Sequence, residues 1–215
     1  MRSIVSMAAA LVALTTVSAH ASIVITEWMY NGLGVGDIGE YVEITNTGPG
    51  NVDFTGWSFD DNGQTPGSQS LSGFGVVTPG QSVIFTDETA ANFAANWGLS
   101  GVSIVGGNTN NIGRNDEINL YDASNNLVDR LTYNDQAPVG SPARGPRTNG
   151  FSGNATTPAA YGANHASLWE RAAANDAYGS YTSSLGEIGN PGTVVPEPAT
   201  LAMLLAGSLA RIRRR

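Results

Sequence analysis

Short stretches of alternating apolar and polar residues, each closed by a turn signal, constrain the fold of this chain more than any other feature. Residues 22–27 (SIVITE) open the series, and residues 40–46 (EYVEITN) follow a Gly-rich loop at 31–39. Residues 56–60 run into Asp60-Asp61-Asn62-Gly63, residues 82–86 follow Pro79-Gly80, and residues 117–121 and 127–133 are joined across 123–126. Side chains on a strand point alternately to its two faces. A period of two at this spacing therefore implies antiparallel strands with one face buried, hence a sandwich or barrel. One segment, 88–97, reads as a helix, with Asp87 as its cap, Phe93 and Trp97 on one face, and Gly98 as its stop. Residues 134–164 are rich in Pro, Gly, Asn and Thr and read as a long loop.

Both ends of the chain are of another kind. Met1-Arg2, the apolar run 4–17 and Ala19-His20-Ala21 have the order of a signal peptide, with Ala19 and Ala21 as the small residues of the cleavage site. The mature chain then begins at Ser22, and the protein is exported. At the other end stand Pro196-Glu197-Pro198, an apolar run over 199–210, and Arg211-Ile212-Arg213-Arg214-Arg215. Two prolines stop any helix from running through the tripeptide, and the arginines hold the far end on the cytoplasmic side of a membrane. The run spans about 18 Å as a helix, short of the roughly 20 apolar residues a bilayer needs. An anchor of that length suits temporary parking.

These residues resemble the PEP-CTERM sorting signal of exopolysaccharide-producing bacteria. The resemblance implies the secretion translocon and an exosortase as partners, with cleavage near Pro196, Glu197 and Pro198 after transient inner-membrane anchoring. Arg211, Arg213, Arg214 and Arg215 form the basic end of the signal. The chain then divides into a signal peptide (1–21), one domain (22–193) and a sorting tail (194–215).

The charge balance narrows the partners. All ten basic residues are arginines, against eighteen acids, for a formal charge of −8. Removing the two terminal segments takes five arginines and only one acid, Glu197, so the domain is more acidic still. A field of that sign repels nucleic acid and favours solubility. Cysteine is absent, so an exported domain of this size holds itself together by packing and not by disulfides.

The body resembles the lamin tail domain, an immunoglobulin-like β-sandwich. The resemblance rests on Ile23-Val24-Ile25-Thr26-Glu27 with Met29-Tyr30-Asn31, on Glu40-Tyr41-Val42-Glu43-Ile44 with Asn46-Thr47-Gly48, and on Val52-Asp53-Phe54-Thr55-Gly56-Trp57. It extends through residues 115–122 and 128–133 to Ser167-Leu168-Trp169-Glu170-Arg171 and Gly189-Asn190-Pro191-Gly192. The fold class it implies is all-β, with Trp57, Phe59, Val42, Ile44, Ile118 and Leu120 filling the space between two sheets. A non-catalytic structural or adhesive role at the cell surface or in the extracellular matrix follows from family and localisation, with extracellular polysaccharide as a partner. The alternative is a secreted carbohydrate- or Ca²⁺-binding module that uses the 31–39 loop and the acidic surface. A hydrolase that works through carboxylates is a third reading.

Three acids carry the ligand question. Glu27, Glu40 and Glu43 either cap strand ends and pair with Arg130 and Arg171, or hold Ca²⁺ through carboxylate oxygens. The first reading implies no cofactor. Asp60-Asp61-Asn62-Gly63 reads as a turn, because the rest of an EF-hand spacing is missing. Catalytic motifs are scarce: the region after Ala21 holds one histidine, His165, with no nucleophile elbow, and the chain has no H-E-x-x-H and no P-loop. Glu40 and Glu43 lie three apart on one strand and so point to opposite faces. Asn154-Ala155-Thr156 matches a glycosylation sequon, a triplet common by chance in such loops. No catalytic residue is assigned.

Overall fold

The computed structural model describes residues 23–146 and 148–193. The expected signal peptide, with Ala19 and Ala21, and the expected sorting tail, with Pro196, Glu197, Pro198, Arg211, Arg213, Arg214 and Arg215, lie outside the described residues. The strands are β1 (Ile23–Met29), β2 (Tyr41–Asn46), β3 (Val52–Asp53), β4 (Ser58–Asp60), β5 (Gln69–Ser70), β6 (Val76–Val77) and β7 (Ser82–Thr86). After one helix, α1 (Ala90–Trp97), come β8 (Ser103–Val105), β9 (Asn115–Tyr121), β10 (Leu127–Asn134), β11 (Gly153–Ala155), β12 (Trp169–Arg171), β13 (Tyr181–Thr182) and β14 (Ile188–Gly189).

Two sheets share one core. The larger has six strands in the order β12-β11-β1-β2-β7-β8, and the smaller has four, β10-β9-β4-β5. Ile25, Trp28, Val42, Ile44 and Phe85 from the first meet Phe59, Ile118, Leu120, Leu131 and Tyr133 from the second. Aromatic contacts bridge the layers: Trp28 stacks on Tyr133 with centroids 4.1 Å apart, and Phe59 lies 5.1 Å from Phe85. Asp129 on β10 adds a polar tie, accepting from Ile25 N at 2.8 Å. Burial pushes its carboxyl up to about 6.

The six-stranded sheet is covered on its outer face as well. Met29, Tyr41 and Ile84 pack there against Phe93 and Trp97 of α1, with Leu99, Val102 and Tyr181 around them. That double cover explains why β1 and β2 are buried at every position. The helix begins at Ala90, capped by Thr89, whose side chain accepts from Asn92 N, and Gly98 ends it in the left-handed region. Asp87 is not the cap: its carboxylate accepts from Gly39 N at 2.9 Å instead.

Three further expectations need correction. Trp57 is only partly buried, laid on Phe54 at 4.5 Å, whereas Trp28 and Phe54 are buried almost completely. The pairing is not all antiparallel, since β8 joins β7 in parallel. The loop expected over 134–164 contains β11, which pairs antiparallel with β1 through Glu27–Asn154 and Trp28–Gly153.

Candidate functional site

A break in the strand period creates the most unusual chemistry of the domain. Ile23 and Ile25 face the shared core, so a regular β1 would send Glu27 inward too. The β1–β2 register shifts between Ile25 and Glu27, and Ile25 opposes Ile44 while Glu27 opposes Glu43. Such a bulge re-aims every side chain that follows it. Trp28 turns into the core, and Glu27 turns outward beside Glu43, under the outer layer.

The two acids are 1% exposed, and neither forms an ion pair among the described residues. Glu27 Oε1 accepts from Ser152 Oγ at 2.5 Å and from Asn190 N at 2.8 Å. Glu43 Oε1 accepts from Thr26 Oγ1 at 2.7 Å, and Oε2 from Gly192 N at 2.5 Å. The lid over the pair is therefore main chain from the Gly189-Asn190-Pro191-Gly192 segment. Gly189 is required by space: a methyl there would stand 2.6 Å from Tyr41 Oη and 3.0 Å from Glu27 Oε1 and Ser152 Oγ. Glu27 Oε2 finds no geometrically acceptable hydrogen-bond donor among the described residues.

Burial and like charge decide the protonation of the pair. Loss of solvent, then the neighbouring Glu43 charge, push Glu27 up to about 8, against the donors Ser152 and Asn190. Burial pushes Glu43 up to about 7, with Thr26 and Gly192 opposing. Burial also holds the Tyr41 phenol well above its ordinary range, with Glu27 adding to the effect. Two carboxylates this close and this dry do not both ionise near neutrality.

Glu40 belongs to a different cluster. Both its oxygens accept from Ile112 N at 3.2 Å, and Asn108 Nδ2 reaches one of them at 3.4 Å. Burial and the adjacent Asp87 push it up to about 9. The arginines offered as partners are elsewhere: Arg130 lies 3.7 Å from Glu117, and Arg171 sits over the Phe151 ring at 4.8 Å. Among the described residues, no group of three or more His, Cys, Asp or Glu side chains is placed to hold a metal ion. The N–H and O–H groups aimed at Glu27 and Glu43 suit carboxyl oxygens and would repel a cation.

Sequence reasoning missed Glu187. It is fully buried and joins three elements, accepting from Leu33 N at 2.8 Å, Asn96 Nδ2 at 2.7 Å and Ser183 Oγ at 2.9 Å. Its position three residues before Asn190, in a short stretch with no alternation of apolar and polar residues, gave no periodic signal. The Asp60–Gly63 stretch is a turn, with Gly63 N donating to Asp61 Oδ1 and Thr65 N to Asp60 Oδ2. His165 makes a local 3.0 Å contact with Ser167 Oγ on the surface. Asn154 of the sequon is buried in β11 and donates to Ser180 Oγ, so the folded chain hides it from a glycosyltransferase.

With two sheets, a bulged first strand and a β9–β10 hairpin in place, a comparison by family becomes meaningful. The lamin tail domain family matches residues 16–135, more than half of the chain. The chain belongs to the lamin tail domain family. No curated protein matches it. The family match ends just past β10, yet β11 and β12 extend the larger sheet, and residues 188–193 seal its acid pair. In this lamin tail domain, the segment beyond the matched region completes the packing.

Proposed function

We propose that this lamin tail domain protein is exported and non-catalytic, with a structural or adhesive role at the cell surface or in the extracellular matrix. The translocon delivers it, the 194–215 tail parks it transiently in the inner membrane, and an exosortase releases it beside extracellular polysaccharide. The observation that carries this reading is the tail itself: Pro196-Glu197-Pro198, an apolar run and Arg211, Arg213, Arg214 and Arg215 in that order, directly after a folded domain. The described residues add support for a role without catalysis. The cross-strand pair of acids, Glu27 and Glu43, is sealed from solvent and held by internal donors on three of its four oxygens. A pair so covered cannot reach a substrate.

The test is a triple substitution in the native host, Pro196→Ala, Glu197→Ala and Pro198→Ala. The account expects an uncleaved form that fractionates with membranes. Release of that variant at the wild-type rate would exclude the tripeptide as the processing signal.

A further inference from the structure

We propose that residues 188–193 form a clasp locked by protons on the Glu27–Glu43 pair and loosened when that pair ionises. The clasp also sets how far the domain can stand from the tail behind it. This second consequence rests on the sorting function proposed above; the clasp itself does not.

The geometry comes first. Two amides of the segment, Asn190 N and Gly192 N, donate to Glu27 and Glu43 respectively. Ile188 is held by main chain, donating to Gly150 O at 2.8 Å while its carbonyl accepts from Ser152 N at 2.9 Å. The remainder of the outer cover is α1, which carries no charge and packs Phe93 and Trp97 on Tyr41. Residues 188–193 belong to neither apolar cluster: Pro191 is buried, but Ile188 is only partly buried and Thr193 is exposed. A segment with few buried apolar contacts is the part of a structure that opens first.

The second argument concerns charge. A cross-strand pair of like charges is destabilising even on an open sheet, and no cation among the described residues forms an ion pair with it. The clasp amides favour the anions, but burial and mutual repulsion outweigh them, as the upward displacement of both carboxyls records. Ionisation of both groups then demands water, and the least costly way to admit water is to lift the main chain that covers them. Among the described residues, the other ionisable groups near the clasp are acids, phenols and an outlying arginine. Tyr41 on β2 and Tyr181 on β13 both have raised phenols. Glu187 lies just before the clasp, and burial, then the Glu187 charge, raise Glu88 ahead of α1. Arg171 on β12 lies outside, over Phe151. None of these supplies a buried positive charge.

The reach follows from chain length. Only Val194 and Val195 separate Thr193 from Pro196, which is about 7 Å of extended chain at roughly 3.3–3.6 Å per residue. Freeing residues 188–193 adds about 20 Å by the same measure. A closed clasp leaves only the two-residue tether between the domain and the tripeptide, and an open one lengthens that tether for a membrane enzyme.

The test is hydrogen exchange read by mass spectrometry on the full chain from pH 5 to pH 9, corrected for intrinsic chemical exchange. Protection of the 188–193 peptide should fall at least tenfold between pH 6 and pH 9, while peptides from β9 and β10 keep theirs. In the Glu27→Gln, Glu43→Gln double variant, protection should persist across the range. Should the double variant fail to fold, Glu43→Gln alone should leave a distinctly smaller loss, because only one charge then forms beneath the clasp. Protection of 188–193 that ignores pH in the wild type, or a loss that survives in the variants unchanged, overturns the clasp. The experiment needs no exosortase, so its failure is separate from failure of the sorting function, which the mass of the exported protein reports.

Discussion

Glu43→Gln should make this domain more stable near neutral pH, although it removes a hydrogen-bonded buried group. The amide is isosteric with the carboxyl. Its oxygen can accept from Gly192 N, and its NH₂ can donate to Thr26 Oγ1, the two partners Glu43 has now. The wild-type carboxyl titrates at about 7 in the folded state against an ordinary value of 4.5. Below about pH 4.5 both folded and unfolded chains hold the proton, and the group has no effect on the pH dependence. Between about 4.5 and 7 the unfolded chain releases it while the folded chain keeps it, so the unfolded state binds fewer protons and stability falls as pH rises. At about 1.36 kcal/mol per pH unit of displacement, the loss attributable to Glu43 is on the order of 3 kcal/mol. Urea unfolding of wild type and variant at pH 4.5 and pH 8 measures it. The two should agree within about 1 kcal/mol at the lower pH, and the variant should be ahead by about 2–3 kcal/mol at the higher. Glu27 and Glu40, also raised, give the variant a residual downward slope of the same sign. A wild-type stability that is flat or rises between pH 5 and pH 8, or a variant deficit independent of pH, would refute the reasoning.

Two packing predictions and one on metal accompany it. Trp28→Ala should cost about 3–5 kcal/mol in urea unfolding, as expected for a large buried aromatic, and Trp57→Ala distinctly less, since Trp57 is only half covered; equal costs would mean that the bulge is misplaced. Gly189→Ala should cost about 1–3 kcal/mol by overpacking, because its methyl has no room against Tyr41 Oη and Glu27. Millimolar Ca²⁺ should leave the melting temperature unchanged, and a rise of several degrees would demand a real site by linkage.

Much of the architecture was legible because alternation reports a half-buried strand directly. Residues 40–46, 82–86, 117–121 and 127–133 align with β2, β7, β9 and β10 to within a few residues. Phe93, Trp97 and the Gly98 stop were also legible, since an aromatic pair four apart and a C-terminal glycine are local signals. The acid pair was not. Glu27, Glu40 and Glu43 were visible as acids in apolar strands, but pairing Glu27 with Glu43 depends on a bulge at Thr26 that no local propensity encodes. The same bulge put Trp28 in the core. Strands of two or three residues, such as β3, β5 and β11, offer too few positions for a period to show. The sealing role of Asn190 and Gly192 arises from contacts across more than a hundred residues of sequence. Motif spacing carries no trace of such contacts, although Gly189-Asn190-Pro191-Gly192 did enter the family resemblance.

The central claim is that the domain is an exported cargo whose two ends are removed, and intact mass of the protein recovered outside cells of the native host tests it most directly. The account predicts a chain that begins at Ser22 and ends between Val195 and Pro198. Recovery from a host with a working exosortase of mature protein that still carries Arg215 would contradict it.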